Sequence, residues 1–143
     1  MKVIVIVKGN ADYEAGKMPD PGLLEAMTTY NEELVKAGIM LAGEGLKPTR
    51  DSARVIFSGS DRRVVDGPFA ETRELIAGFW LWQVRDMDEA KAWALRCPNP
   101  IKDGVDTEID IRPIFGPEDF AEIDPTGEIM EREARMRATL GQD

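Results

Sequence analysis

The sequence predicts an α+β fold: a ferredoxin-like βαβ-βαβ sandwich with a β-hairpin inserted at its middle. Three observations carry this. Val3 to Val7 is an unbroken β-branched run of five residues, and Ile76 to Val84 is a second apolar run. Two segments with helical spacing, Pro21–Lys36 and Met87–Cys97, each follow an aspartate. Between the two halves lies Gly59-Ser60-Asp61, flanked by short apolar stretches. The order β-α-β, hairpin, β-α-β is that of a split sandwich with two helices on one face of a four-stranded sheet.

Each element has a local reason. A β-branched run suits a strand buried on both faces. Gly9 to Pro19 reads as loop, with Asn10, Asp12 and Gly16. Asp20 is placed to cap the first helix, and Pro21 fits its first position. Leu23, Met27, Tyr30 and Leu34 form one apolar stripe, and Gly38 suits the end of the helix. Ile39 to Leu46 reads as a strand closed by Lys47-Pro48. Ala53–Ser58 and Arg62–Val65 form the hairpin.

In the strand Ile76–Val84, one face carries Ile76, Gly78, Trp80, Trp82 and Val84. The other carries Ala77, Phe79, Leu81 and Gln83. Asp86 and Glu89 match an aspartate version of the capping box, with Ala90, Trp93, Ala94 and Cys97 on the buried side. Pro98 and Pro100 stop this helix. Thr107 to Ile114 alternates as a last strand, with Ile109 and Ile111 inward.

The character changes after Phe115. Residues 1–115 read as one α+β domain and 116–143 as a C-terminal extension with a helix over Glu128–Leu140. Its apolar stripe, Ile129, Met136 and Leu140, is interrupted by Glu133, so it fits an arm on a surface, its own or a partner's.

Composition excludes several functions. Of 143 residues, 43% are hydrophobic and 31% charged, the balance of a soluble globular protein. The net charge of -9 argues against nucleic acid and against anionic membranes. The N-terminal apolar run is too short for a signal peptide, and no stretch reaches the roughly 18 residues of a membrane span. The cytoplasm is the expected location. Cys97 is the only cysteine and histidine is absent, so disulfides within the chain and histidine acid-base chemistry are ruled out. A zinc site would need carboxylates and one thiolate, and no metal site or organic cofactor is expected.

The segment Val65-Asp66-Gly67-Pro68-Phe69-Ala70-Glu71-Thr72, followed by Gly78-Phe79-Trp80, resembles the signature of the YCII-related, DGPF-domain proteins. The element order from Met1 to about Phe115, with Ala42-Gly43-Glu44-Gly45-Leu46, is similar too. The resemblance implies a dimeric α-β barrel. It also brings an association of some relatives with sigma factors. YCII-type relatives are proposed to use a His-Asp pair in a cleft, and this chain has no histidine to supply one half.

Candidate chemistry then rests on acids. Asp66 and Glu71 could share a proton and serve as acid and base. Equally, an aspartate before Gly-Pro caps a turn. Glu44, between glycines, either faces a cleft or points to solvent. Phe69, Arg73 and Trp80 are candidates for binding a substrate. Trp80 and Phe69 would do so by packing, where core or anchor roles compete, and Arg73 by its charge, where a surface ion pair competes. The strands that are apolar on both faces leave one face of the sheet to cover, and a second copy is the simplest cover. Two functions follow. One is a homodimer with a small-molecule site at the dimer cleft. The other is a non-catalytic regulatory or accessory module.

Overall fold

The computed structural model describes residues 1–70 and 74–141. The chain divides into two compact units, Met1–Pro113 and Ile114–Asp143.

The first unit contains β1 (Lys2–Lys8), α1 (Ala11–Glu14), α2 (Pro21–Lys36), β2 (Met40–Gly45), β3 (Ala53–Ser58), β4 (Asp61–Asp66), β5 (Ile76–Gln83), α3 (Met87–Ala94) and β6 (Ile109–Pro113). Its four-stranded sheet has the order β2-β5-β1-β6, and β3 and β4 pair as a separate ribbon. Each neighbouring pair is antiparallel. This is the strand order of a ferredoxin-like sandwich, with the ribbon as the insertion.

The helix ends form as their residues dictate. The Asp20 carboxylate accepts the Leu23 N–H at 2.9 Å, and Gly38 takes the left-handed conformation that ends α2. Asp86 accepts from the Glu89 N–H at 2.9 Å. The Glu89 side chain reaches back to the Arg85 N–H at 2.9 Å, one residue before the expected partner. Where the sequence reads as loop, Asn10 caps the four-residue α1 by accepting from the Tyr13 N–H at 2.9 Å. A single turn is too short to show a periodic stripe. The ribbon turns through Gly59 and Ser60 alone, because Gly59 takes φ +60° and Asp61 already pairs with Ser58.

Both helices lie against one face of the sheet. Val3, Val5, Trp80, Trp82 and Val84 pack there with Tyr30 and Leu34 of α2, Ile39, and Ala90 of α3. Ile109 and Ile111 pack against this core as well. The tight fit is visible at Gly43, where an added Cβ would lie 2.7 Å from the Trp80 ring. The other face carries Ile4 opposite Leu81 and Ile6 opposite Phe79, all half-buried. Ala42 and Glu44 flank them on β2, and Asp110 and Arg112 on β6.

The second unit holds α4 (Glu128–Thr139). The buried Asp124 carboxylate accepts from the Ile129 and Met130 N–H groups at 3.2 and 2.9 Å. It thereby satisfies donors that the αL Gly127 N-cap cannot. Ile129, Met136 and Leu140 are exposed.

Candidate functional site

Thr49 is the hub from which the site is built. The α1 helix presents Glu14, whose carboxylate accepts the Thr49 N–H at 2.8 Å and the Thr49 hydroxyl at 2.7 Å. Charge-assisted bonds of this kind are the stronger class. Thr49 Oγ1 in turn accepts the Phe69 N–H at 3.1 Å. The Gly67 N–H donates to the Ser52 carbonyl at 2.8 Å. A Cβ at Gly67 would overlap the Thr49 carbonyl oxygen, so only glycine permits this approach of two backbones. The Asp66–Phe69 segment, with its cis Gly67–Pro68 peptide, therefore sits directly on the Thr49–Ser52 turn.

Tyr13 closes the base. Its hydroxyl lies 2.8 Å from the Leu46 carbonyl, 2.9 Å from that of Lys47 and 3.3 Å from that of Ile76. One proton serves all three, which ties α1 to the ends of β2 and β5. Desolvation, with the Glu14 charge adding to it, raises the phenol above its ordinary pKa, so it remains a neutral donor. Gly9 makes room for the ring, since a Cβ there would overlap it.

These elements border an open cleft of about 350 Å³, lined by Tyr13, Leu46, Lys47, Thr49, Ser52, Arg54, Phe69, Glu74, Leu75 and Ile76. That volume suits a small ligand. Leu46, Phe69, Leu75 and Ile76 give apolar walls. The Arg54 guanidinium lies 4.0 Å from the Phe69 ring centre, a cation–π contact. Glu74 receives the Lys8 ammonium at 3.3 Å, and Lys8 also reaches Asp110 at 3.1 Å. Its hydrogen bonds to Asp110 first and Glu74 second raise the Lys8 pKa. Ser52 Oγ donates to the Pro48 carbonyl at 3.5 Å, a long contact.

Of the residues singled out from sequence, Phe69 lines the pocket. Asp66 ends β4 opposite Ala53. Because side chains alternate along the ribbon, its exposed carboxylate points away from the face shared by Arg54 and Val65. It makes no side-chain hydrogen bond among the described residues, and the turn is held by the Gly67 backbone instead. Glu44 is exposed on the other sheet, opposite Phe79. The two acids thus lie on different sheets and do not converge. Trp80 is 6% exposed and donates from Nε1 to Asn31 at 2.8 Å, with Tyr30 edge-on at 5.8 Å. It is a core residue. Glu71 and Arg73 lie outside the described residues.

Tyr13, Glu14, Thr49, Ser52, Lys47, Arg54 and Glu74 were not singled out from the sequence. The turn dipeptide Lys47-Pro48 and the Asn10 cap were the only local signals pointing to them. Among the described residues no group of three or more acids or thiols is placed to hold a metal ion. Cys97, half-buried, donates to the Pro98 carbonyl at 3.2 Å, and burial pushes its pKa up to about 11. A thiol so shifted is a poor nucleophile at neutral pH.

Residues 1–114 match the YCII-related domain. An uncharacterised protein of Rhizobium meliloti is 33% identical over 78 residues, which cover 54% of this chain and 63% of that protein. The match thus spans less than two thirds of the relative's length. Among solved structures, a 5-chloro-2-hydroxyhydroquinone dehydrochlorinase of Burkholderia phenoliruptrix, in complex with 2,5-dihydroxybenzoquinone, is similar to this chain. The identity is 15% and the TM-score 0.46, over 80% of this chain and 94% of that one. A likeness of that size leaves the chemistry of this chain to its own residues. No helix among the described residues is long and apolar enough to cross a membrane.

Proposed function

The chain belongs to the YCII-related family, and from its geometry we propose that it is a homodimeric small-molecule-binding protein whose ligand occupies the pocket under the Asp66–Phe69 segment. One observation carries this reading. A pocket of about 350 Å³ has walls fixed by the Glu14–Thr49–Phe69 bonds and by the backbone contact at Gly67. Sites held by such a supporting shell are pre-organised for a ligand. The dimer half of the proposal is supported by the open sheet face, where Ile4, Ile6, Phe79 and Leu81 form one apolar block. A contiguous apolar face of this kind marks an interaction surface, and twofold pairing is the commonest way to cover one.

Asp66 and Glu44 lie on different sheets, and Glu71, the proposed partner of Asp66, lies outside the described residues. Glu74 is the described carboxylate that lines the pocket, and the Lys8 ammonium lies 3.3 Å from it. If the ligand reacts there, Glu74 is the candidate base.

A fragment library screened by ligand-observed NMR tests the binding. The expected result is a set of hits that Phe69→Ala weakens at least about fivefold, the scale of one lost aromatic contact. Hits unaffected by Phe69→Ala, while the variant stays folded by circular dichroism, would place the ligand elsewhere.

A further inference from the structure

We propose that the outer side of the β3–β4 ribbon is a contact surface for a second copy of this chain, paired by a twofold that sets Arg62 against Asp66 and Phe57 against Ala53. This surface is separate from the open sheet face, and the proposal does not rest on that one. The register of the ribbon places Ala53 opposite Asp66, Val55 opposite Val64 and Phe57 opposite Arg62, all on one side because side chains alternate. Val55, Phe57 and Val64 are 50%, 65% and 67% exposed. The inner side carries Ile56 and Val65, both half-buried, and Arg54, which stacks on Phe69. A two-stranded ribbon is marginal in water and depends on what covers it. Its own chain covers the inner side, and the outer side presents a contiguous apolar block to water, the mark of an interaction surface.

The pattern on the outer side says that its cover is a second copy. The apolar middle has an arginine toward the tip and an aspartate at the base, with bulky Phe57 beside Arg62 and small Ala53 beside Asp66. A twofold axis running across the ribbon at the Val55–Val64 row reverses the strand direction and lays each end on the opposite end of the other copy. Arg62 then meets Asp66, Phe57 meets Ala53, and valine meets valine. Opposite charges face each other, and large faces small, which is the self-complementarity an isologous contact needs. Both charges are open to such a partner. They stand about 13 Å apart along β4 with Val64 between them, and neither has an ion pair among the described residues. The Arg62 guanidinium lies over the Phe57 ring, 4.8 Å from its centre. That contact uses the flat side of the group and leaves the N–H groups in its plane for a carboxylate. The surface measures about 10 Å by about 20 Å in plan, small beside the roughly 800 Å² per partner of a standard interface, so the pairing is weak.

The experiment uses the full chain with Cys97→Ser, so that an added cysteine is the only thiol. Val64→Cys places that thiol on the axis, and a short bis-thiol-reactive linker should join two copies through it at high micromolar concentration. Arg63→Cys, on the inner side of the ribbon, should give little product. Adding Arg62→Asp to Val64→Cys turns both symmetric contacts from attraction to repulsion and should slow linking about tenfold. Arg62→Asp together with Asp66→Arg restores opposite charges across the axis and should recover the rate. Sedimentation equilibrium of the same charge variants with Val64 in place should show the same fall and recovery in the association constant. No linking at Val64→Cys, equal linking at Arg63→Cys, or a double reversal no better than the single one would each overturn the ribbon contact. Pairing through the open sheet face is read separately, from light scattering of Ile6→Asp, so either contact can fail without the other.

Discussion

Both faces of the four-stranded sheet are apolar along the central strands β1 and β5, and they differ in how they are finished. On the helix-covered face, Val3, Val5 and Trp82 are fully buried. Two polar groups there are stitched to their neighbours, Trp80 Nε1 donating to Asn31 and the Tyr30 hydroxyl to the Trp93 carbonyl at 2.6 Å, while the buried Trp82 Nε1 has no partner among the described residues. On the open face, Ile4, Ile6, Phe79 and Leu81 are only half-buried, and the flanking strands carry Glu44, Asp110 and Arg112. An apolar centre with a charged rim is the anatomy of an interface. Apolarity along a strand therefore says that a face must be covered. The polar groups around it say whether the cover is part of the same chain.

The sharpest way to break this contrast is Trp82→Ala on the covered face. Loss of a fully buried tryptophan is expected to cost about 3–5 kcal/mol, read from urea unfolding. A cost below about 1 kcal/mol would mean that this face is not the main core.

The matching change on the open face is Ile6→Asp. In the proposed homodimer it places a carboxylate at the centre of the contact and is expected to weaken association by about 2–4 kcal/mol. Light scattering should then report the monomer mass at concentrations where the parent chain is dimeric. The variant monomer should keep its circular dichroism, because α2 and α3 pack on the other side. A parent chain that is already monomeric would refute the dimer, and global unfolding of Ile6→Asp would erase the distinction between the faces.

Much of this architecture was legible because its signals are local. Asp20-Pro21, Asp86 with Glu89, Gly38 and Gly59 each act within a few residues of where they stand. The alternation of Ile76–Val84 separated Trp80 and Trp82 from Phe79 and Leu81, and Ile109 and Ile111 from Asp110. It did not say which of the two faces the helices choose. The candidate site was far less legible. Glu14 and Thr49 are 35 residues apart, as are the partners in most of its bonds by similar or larger gaps, so no short pattern announces them. The side on which Asp66 points depends on the pairing of Ala53 with Asp66, a register that residue types alone do not set. Phe69 was found because a proline before it marks an anchored turn. The four-residue α1 is too short to carry a periodic pattern, and Tyr13 and Glu14 stand on it.

Alkaline pH probes the covered face more gently. Tyr30 is raised from its ordinary pKa chiefly by burial, with the Cys97 charge next, and Cys97 is raised by burial from 9.0 to about 11. In both groups the folded state holds its proton to higher pH than the unfolded chain. Stability from this source is complete below about pH 9 and declines as pH rises through about 11, since the unfolded state ionises first. Urea midpoints are expected to be level from about pH 7 to pH 8.5 and to fall above that. Cys97→Ser should flatten the first part of the fall, and Tyr30→Phe the part above about pH 10. A midpoint that rises with pH through this window would contradict the burial of both groups.

The smallest expected effect lies on the outer side of the helices. Arg96 donates to the Glu33 carboxylate at 2.6 Å and lies over the Trp93 ring, 4.2 Å from its centre. Both charged side chains are about half exposed. Water screens such a pair, and holding two long side chains in one geometry costs entropy, so a double-mutant cycle of Glu33→Gln and Arg96→Gln is expected to give about 0.2–1 kcal/mol. High salt should reduce it further. The stacking over Trp93 is separable, because Arg96→Lys keeps the charge and loses the planar contact. If the coupling energy proved as large as the loss in Trp82→Ala, the helices would be held to the sheet from outside by charge. The burial of Val3, Val5 and Trp82 argues instead that they are held from beneath, by the apolar area the sheet offers them.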